Sequence, residues 1–452
     1  MAGLRRLRSA PGVAPTLLVL AYLTLGVAYA LRTPLWQNPD EPAHFNYVHQ
    51  LATGGGIPVL QMGDYDQAYQ DRLVAEHFPP GLPVDRVRYE GHQPPLFYLA
   101  GAAVDAPLAG DTLFRQVVVL RLLSLVLGAP VVVLAWLAAR SLLPTDRWFA
   151  TAVAALPALL PQHVALAAAV NNDALSWTLA ALVLVLSLRL AADPTRWTDR
   201  RIAAGLGLAM AAVLLTKTTA YAVLALPLLA FGLTWRAAGR PPRAWQGLAL
   251  AFGIAVVAGG MWFARNLAAY GGLDFMGLVR HNAIAVGQSA ALGWGLPELR
   301  TLATTLFQST WMQLGWMTMP AQPWAYGLLA AATGMLGAGT AVALRTVRTW
   351  ATPMQQRQLA ILGALMLLAL GELTYYNLQF LQPQGRYLFV ALVPAAVFAA
   401  LGLRALSGQR AFPIAVAVWL ALLASTEWYA HMVLVSFLRA GLQVLPPCLE
   451  GS

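Results

Sequence analysis

Residues 13–31 read VAPTLLVLAYLTLGVAYAL, a run without a single charged side chain. A helix needs about twenty mostly apolar residues to cross the hydrocarbon core of a bilayer. Further runs of this kind follow, and we expect about eleven membrane-spanning helices, with a range of 11–13 because residues 95–108 are apolar but short. The runs lie near 13–31, 116–139, 148–170, 174–191, 202–217, 219–235, 245–263, 323–344, 358–377, 387–404 and 411–431.

The composition of the chain excludes most soluble classes of protein. Of its 452 residues, 59% are hydrophobic and 11% are charged, whereas soluble chains carry about 25% charged residues. The net charge of +10 comes from arginines scattered between apolar runs, without the basic stripe of a nucleic-acid-binding protein. The sequence therefore predicts an all-α polytopic membrane protein, with 1–452 forming a single integral membrane domain. The one cysteine, Cys448, excludes an intrachain disulfide.

Basic residues predict the orientation of the chain, because cytoplasmic loops are enriched in arginine and lysine. Two long connections, 32–94 and 264–322, then lie outside the cytoplasm and carry interfacial helices. Each has about 60 residues, too few to hold a core of its own, so we expect any chemistry at the outer membrane face. The cytoplasmic arginines are Arg5, Arg6, Arg8, Arg140, Arg147, Arg189, Arg196, Arg200, Arg201, Arg236, Arg240, Arg243, Arg345, Arg348, Arg357, Arg404 and Arg410.

The first long loop opens with the polar motif NPDEPAHFNY, which begins at Asn38. We expect a helix over 39–52 with Asn38 as its N-cap. On that helix Asp40, His44 and Tyr47 would share one face. This clustered acidic-histidine motif makes Asp40 and His44 candidate catalytic residues.

The neighbouring Glu41 has two interpretations. It is a third candidate catalytic residue, and it also stands where a capping-box glutamate would bind the amide of Asn38. The helix dipole by itself favours acidic residues such as Asp40 at this end. The sequence leaves both interpretations open.

Other polar residues gather at the predicted outer ends of the membrane helices, and each has a structural alternative. The segment before Pro94-Pro95 also fits an interfacial anchor, Asn171–Asp173 also fits a turn, and Lys217 could snorkel to the surface. Arg386 opposes the dipole at a helix start, so we expect an anion beside it, either the Glu372 carboxylate or a ligand phosphate. The candidate substrate-binding and lipid-phosphate-binding residues are His92, Gln93, Lys217, Arg265, Gln384, Arg386 and Tyr387, with Asn172 and Asp173 as accessory residues.

Four motifs together resemble a known group of enzymes. The DEPAHF motif at 40–45 resembles the first-loop motif of protein O-mannosyltransferases and of lipid A aminoarabinose transferases. The motifs HQPPL at 92–96, GW at 315–316 and QGRY at 384–387 look like those of bacterial membrane proteins grouped with the GT-C glycosyltransferases. The resemblance covers about 13–430 and departs at Gln93, where aminoarabinose-type enzymes often have lysine.

The resemblance implies a membrane glycosyltransferase that takes a sugar from a polyprenyl-phosphate-linked donor. An extracytoplasmic acceptor (a glycan, lipid or protein) would receive it, in the cytoplasmic (inner) membrane of a bacterium. The carried-over first-loop acid is Asp40, which would act as general base in a single displacement. No cofactor is required; a divalent metal on Asp40, Glu41, His44 and Asp173 is possible but unsupported. A polytopic transporter or lipid flippase is the main alternative, and a non-catalytic scaffold a weaker one.

Overall fold

A computed structural model describes residues 12–235, 239, 242–285 and 295–444. Several residues used in the sequence argument lie outside this described part. They are Arg5, Arg6, Arg8, Arg236, Arg240 and Cys448.

The described part of the chain is mostly helical, and every apolar run predicted from the sequence overlaps a helix. The only strands in it are β1 (Gln313–Leu314) and β2 (Met319–Pro320), an antiparallel pair. Short 3₁₀ helices cover Tyr89–His92, Ala106–Leu108, Pro194–Thr198, Thr218–Leu224 and Gly385–Ala391. The α-helices are α1 (Val13–Arg32), α2 (Glu41–Ala52), α3 (Gln67–Ala75), α4 (Leu96–Asp105), α5 (Leu113–Gly128), α6 (Pro130–Leu142), α7 (Arg147–Leu159), α8 (Pro161–Ala167), α9 (Asp173–Ala192), α10 (Arg200–Leu214), α11 (Ala225–Trp235), α12 (Pro242–Tyr270), α13 (Leu278–Ile284), α14 (Leu296–Trp311), α15 (Pro323–Arg345), α16 (Val347–Trp350), α17 (Pro353–Gln379) and α18 (Leu392–Val444).

Within the described residues, eight helices are long and apolar enough to cross a membrane, or nine if the bent pair α7 and α8 is one span. The chain is thus a multi-pass membrane protein, but the expected count of eleven is not confirmed. Two of the expected spans account for much of the difference. The run at 202–217 yields α10, which has 15 residues and is short for a crossing. The last two runs begin in the 3₁₀ helix Gly385–Ala391 and continue along α18, so they form one candidate span; the non-helical residue inside α18 is Gly408 (φ 67°, ψ 169°).

The helix of the first loop begins two residues later than the sequence predicts. It starts at Glu41, and Asp40 is its N-cap in a left-handed conformation with φ 63°. Asn38 is therefore not the cap, and Asp40 does not share a helical face with His44 and Tyr47. The cause is the Glu41 carboxylate, which accepts hydrogen bonds from the Trp36 amide and the Asn38 side chain and so folds the preceding segment around itself.

The two ends of the helical body carry different residues. At one end, the arginine-rich connections meet, as in the ion pair between Arg404 and Asp146 at 3.6 Å. At the other end, the two long loops pack on each other, and the Trp316 indole donates to the Trp36 carbonyl at 2.8 Å. This second end also holds the polar residues selected from the sequence.

Candidate active site

Asp40 lies at the centre of the polar cluster, in the turn that precedes α2. Its carboxylate accepts a hydrogen bond from the Tyr89 hydroxyl at 2.6 Å and pairs with the Arg386 guanidinium at 2.5 Å. The left-handed backbone, which aspartate tolerates better than most residues, directs the side chain away from the helix that follows. The side chain stays 17% exposed, so a ligand can reach it.

The charges around Asp40 fix its ionisation. Burial by itself would raise the pKa of Asp40, but the Arg386 charge and the hydrogen bonds from Tyr89 and Arg386 lower that pKa to about 2. Asp40 is therefore a carboxylate at neutral pH. While Arg386 stays bound to it, Asp40 is a weak base, because a strong preference for the ionised form opposes proton uptake.

Two cations and a second acid complete this charged group. Lys217 donates to Asp173 at 2.8 Å, and Arg386 lies 4.0 Å from the other oxygen of Asp173. The Arg386 Nε–H is buried and has no acceptor within the described residues. A buried donor without a partner is costly, and here it lies beside a second cation. The arrangement suits an anion that would accept from both Arg386 and Lys217.

Arg386 therefore pairs with Asp40 and Asp173. The sequence offered Glu372 or a ligand phosphate as its partner, and Glu372 does not form that ion pair. Asn172 and Asp173, selected only as accessory residues, lie in the cluster. The Asn172 amide donates to the Thr216 carbonyl at 3.1 Å, which joins the start of α9 to the segment that carries Lys217.

Glu41 lies outside this cluster and forms an ion pair with Arg121 instead. Its two carboxylate oxygens receive both ends of the Arg121 guanidinium, at 2.7 and 2.6 Å, and also the Val170 amide at 3.2 Å. Both side chains of the ion pair are fully buried. Arg121 also donates to the carbonyls of Ala30 and Thr33 and thereby ties α5 to the end of α1.

Sequence reasoning missed Arg121, although a signal existed. It is the one charge inside the apolar run 116–139, and an arginine in such a run usually has a buried partner. Sequence reasoning also missed Tyr89 and Glu90, because no spacing rule selects either residue.

His44 belongs to a hydrogen-bonded network beside Asp40. Its Nδ1 lies 2.8 Å from the Tyr98 hydroxyl, and the Asn172 amide donates to the same hydroxyl at 3.4 Å. Its Nε2 lies 4.0 Å from Glu90. Burial, together with the Lys217 charge, lowers the pKa of His44 to about 3. His44 is therefore a neutral imidazole at physiological pH.

The segment before the two prolines forms the wall next to this network. His92 bonds the Tyr89 carbonyl at 3.0 Å and the Gln93 side chain at 3.2 Å, and its ring lies 4.3 Å from that of His281. Burial, then His281, lowers the pKa of His92 well below its usual range. His92 and Gln93 thus stand at the edge of the cluster as neutral hydrogen-bonding groups.

The remaining residues predicted for the site have different positions. Arg265 donates to the Pro58 carbonyl and stacks on Trp262 at 4.9 Å and Tyr270 at 5.5 Å. It therefore anchors the first loop to α12 and does not bind Asp40. Tyr387 lies under the Arg386 guanidinium at 5.3 Å. Among the described residues, the Gln384 side chain has no hydrogen bond, although Gln384 caps the 3₁₀ helix that carries Arg386.

The residues described here do not form an evident metal centre. In the described ranges, no group of three or more His, Cys, Asp or Glu residues is placed to hold a metal ion. The two acids that could serve, Asp40 and Asp173, are bound by Arg386 and Lys217.

A multi-pass helical body, with loop helices folded over one end and a first-loop acid at the centre, defines the class of fold. The chain has the fold of the GT-C membrane glycosyltransferases. It is similar to the oligosaccharyltransferase of Archaeoglobus fulgidus, crystallised with Zn and sulfate, with a TM-score of 0.53 and 14% identity over 92% of this chain and 53% of that one. The chain thus spans about half the length of that enzyme.

A second solved structure covers more of its own length. The chain is similar to ArnT from Cupriavidus metallidurans bound to undecaprenyl phosphate, with a TM-score of 0.50 and 13% identity over 97% of this chain and 82% of that one. The apo state of ArnT gives a TM-score of 0.51 and 14% identity, over 93% and 75% of the two chains. No protein-family model and no curated protein sequence matches the chain.

Proposed function

We propose that the chain is a membrane glycosyltransferase that moves a sugar from a polyprenyl-phosphate-linked donor to an extracytoplasmic acceptor. The observation that supports this most is the Asp40 carboxylate, which pairs with buried Arg386, while Arg386 and buried Lys217 both lie next to Asp173 at the end of the helical body where the long loops meet. A base next to an anion site is what transfer from a phosphate-linked sugar requires.

The donor phosphate binds between Arg386 and Lys217. Arg386 contributes a buried N–H that lacks an acceptor, and Lys217 contributes the donors left after its bond to Asp173. ArnT, which shares the fold, was crystallised with undecaprenyl phosphate.

The reaction is a single displacement. The acceptor hydroxyl gives its proton to Asp40, and its oxygen forms a bond to the anomeric carbon of the donor sugar. The bond from that carbon to the phosphate oxygen breaks, and the polyprenyl phosphate leaves with the electron pair. Arg386 and Lys217 stabilise the second negative charge on the leaving phosphate. The configuration at the anomeric carbon is inverted.

Arg386 has two partners in this scheme, because it pairs with Asp40 in the structure and would bind the phosphate during the reaction. The phosphate competes with Asp40 for the same guanidinium. When Arg386 turns to the phosphate, Asp40 loses the neighbour that holds its pKa low, and it becomes a better base. Donor binding therefore activates Asp40 before the acceptor reacts.

The membrane setting follows from the same assignment. The site lies opposite the arginine-rich end of the helical body, and we assign it to the extracytoplasmic face of a bacterial cytoplasmic membrane. A transporter or flippase would place its polar site near the bilayer midplane, between repeats. The cluster around Asp40 instead lies where the loops cover one end of the helices, which favours transfer.

The test is release of carrier by purified protein. Undecaprenyl phosphate-linked sugars are supplied singly with membranes as a source of acceptor, and free undecaprenyl phosphate is measured. We expect one donor to be consumed by the natural protein and turnover to fall by about 10² or more in Asp40→Asn. Asp85→Asn, an exposed acid of the same loop, is the matched control. If no donor is consumed, or if Asp40→Asn turns over normally, the proposal is wrong.

A further inference from the structure

The strongest unassigned feature of the molecule is the carboxyl group of Glu90. It is buried, it stands on the 3₁₀ helix Tyr89–His92 next to the residue that holds Asp40, and one of its oxygens has no partner among the described residues. We propose that Glu90 and His44 together bind a hydroxyl group of the donor sugar, and that this sugar is uncharged. The inference rests on the proposed transfer from a phosphate-linked sugar.

The spacing of the two groups is compatible with one oxygen atom that bonds both of them. His44 Nε2 and Glu90 Oε1 are 4.0 Å apart, which is too far for a direct hydrogen bond. A single oxygen at the usual distance of about 2.8 Å from each atom would bond both of them. The free Glu90 Oε2 offers a further bond to the same ligand.

The hydrogen-bond network fixes the direction in which His44 donates. The Asn172 amide nitrogen only donates, so the Tyr98 oxygen accepts from it. The Tyr98 proton is then free to point at His44 Nδ1, 2.8 Å away. A neutral imidazole that accepts at Nδ1 carries its proton at Nε2, and this proton faces Glu90.

Glu90 is a neutral partner for the same ligand. Burial, together with the negative charge of Asp40, raises the pKa of Glu90 to about 8. A protonated carboxyl donates one hydrogen bond and accepts another. The protonated Glu90 carboxyl and the N–H of His44 are both uncharged hydrogen-bonding groups. They match a sugar hydroxyl and offer no counter-charge to an ionised sugar.

The position of Glu90 assigns this hydroxyl to the sugar. Glu90 lies close enough to Asp40, Lys217 and Arg386 for their charges to affect it. A ligand at Glu90 is thus next to the base and next to the phosphate cations. In the proposed complex only the donor sugar ring occupies that place.

The experiment separates the contribution of the sugar from that of the phosphate. Affinities for bare undecaprenyl phosphate and for undecaprenyl phosphate-linked glucose are measured in the natural protein, Glu90→Gln and Glu90→Leu. We expect equal affinity for the bare carrier in all three. Glu90→Leu should weaken binding of the glucose form about tenfold, the scale of an unpaired buried hydrogen-bonding group. Glu90→Gln keeps a donor and an acceptor and should bind it nearly as well as the natural protein.

A second variant checks the network without altering Glu90. Tyr98→Phe removes the hydroxyl that orients His44 and keeps the ring, so it should weaken the glucose form several-fold and leave the bare carrier unaffected. Glu76→Gln, an exposed change in the same loop, is the control. Thermal unfolding of each variant accompanies the affinities, and Glu90→Gln and Tyr98→Phe carry the test if Glu90→Leu does not fold.

Each outcome bears on a different claim. Normal binding of glucose-linked carrier by Glu90→Leu and Tyr98→Phe overturns the Glu90 site and leaves the transferase proposal standing. If Glu90→Gln loses as much affinity for the glucose-linked carrier as Glu90→Leu does, Glu90 is ionised. If the natural protein binds a glucosamine-linked carrier more tightly than the glucose-linked one, the site recognises a cation. Either result overturns the inference. No binding of any carrier refutes the phosphate site, and the Glu90 inference with it.

Discussion

Arg386 and Asp40 lie 346 positions apart in the sequence and form an ion pair at 2.5 Å. The contact joins the turn before α2 to the 3₁₀ helix that leads into α18. Each residue has its own function in the proposed reaction, one as the phosphate ligand and one as the base. In the proposed reaction, this pairing precedes donor binding.

This pairing predicts that loss of the acid improves carrier binding. In Asp40→Asn, Arg386 has no carboxylate to leave when the phosphate arrives, so affinity for undecaprenyl phosphate should rise, by about tenfold for a contact worth some 1.4 kcal/mol. Turnover should fall in the same variant. Titration by calorimetry in detergent measures the affinity, with Asp85→Asn as the control. Unchanged or weaker binding would show that Asp40 and the phosphate do not compete.

The phosphate site itself predicts that charge alone is not sufficient at position 386. Arg386→Lys keeps the positive charge but loses the planar set of donors that bonds two oxygens at once. We expect weaker carrier binding and slower transfer. Normal turnover by this variant with a lipid-linked donor would place the phosphate elsewhere.

The buried ion pair of Glu41 predicts that replacing this residue lowers the stability of the protein. Because Glu41→Gln leaves the fully buried Arg121 without its counter-charge, the free energy of unfolding should fall by about 3–5 kcal/mol. Thermal unfolding in detergent measures this, and replacing Arg121 by Met in the same protein should recover part of the loss. An unfolding temperature equal to that of the natural protein would refute the structural role.

The proposed role of Glu90 predicts that the rate of sugar transfer falls at alkaline pH. Its pKa is raised to about 8, so it is protonated below that pH and ionises above it. Ionised Glu90 no longer donates to the sugar, and transfer should fall above about pH 8. A pH profile of the natural protein and Glu90→Gln measures this; the variant should lose the alkaline limb. An identical limb in both proteins would assign it to another group. The charged or titratable groups that act on Glu90 are Asp40, His44, Asp173, Lys217 and Arg386.

The orientation predicts which loops an impermeant thiol reagent reaches in intact cells. With Cys448 replaced, cysteines at exposed Ala68 and Ala283 should react, and one at exposed Arg348 should react only after permeabilisation. The reverse pattern would place the site in the cytoplasm.

The sequence predicted the helical membrane fold because the apolar runs are long and distinct, and the comparisons confirm the GT-C fold. The number of crossings was harder to predict, because length alone does not separate a span from the shorter α10 or from the two helices that meet at Gly408. The start of α2 was also mispredicted. Capping preferences pointed to Asn38, but the Glu41 carboxylate, which is buried against Arg121, accepts hydrogen bonds from Trp36 and Asn38 and folds the turn around itself instead.

The sequence allowed candidate site residues to be selected where a residue type is costly in its setting, but it did not allow their partners to be chosen. Lys217 and Arg386 are cations next to apolar runs, and the structure brings both to one cluster with Asp40 and Asp173. Their pairing depends on helices that are distant in sequence, which no spacing rule encodes. Glu90 was overlooked for the same reason, since only its burial and its position near His44 distinguish it.

The most direct test of the account is an experimental structure of the protein with undecaprenyl phosphate bound. We expect the phosphate within hydrogen-bond distance of both Arg386 and Lys217, with the Arg386 guanidinium turned away from Asp40. A phosphate bound elsewhere, or an intact pair between Arg386 and Asp40 beside a bound phosphate, would contradict it.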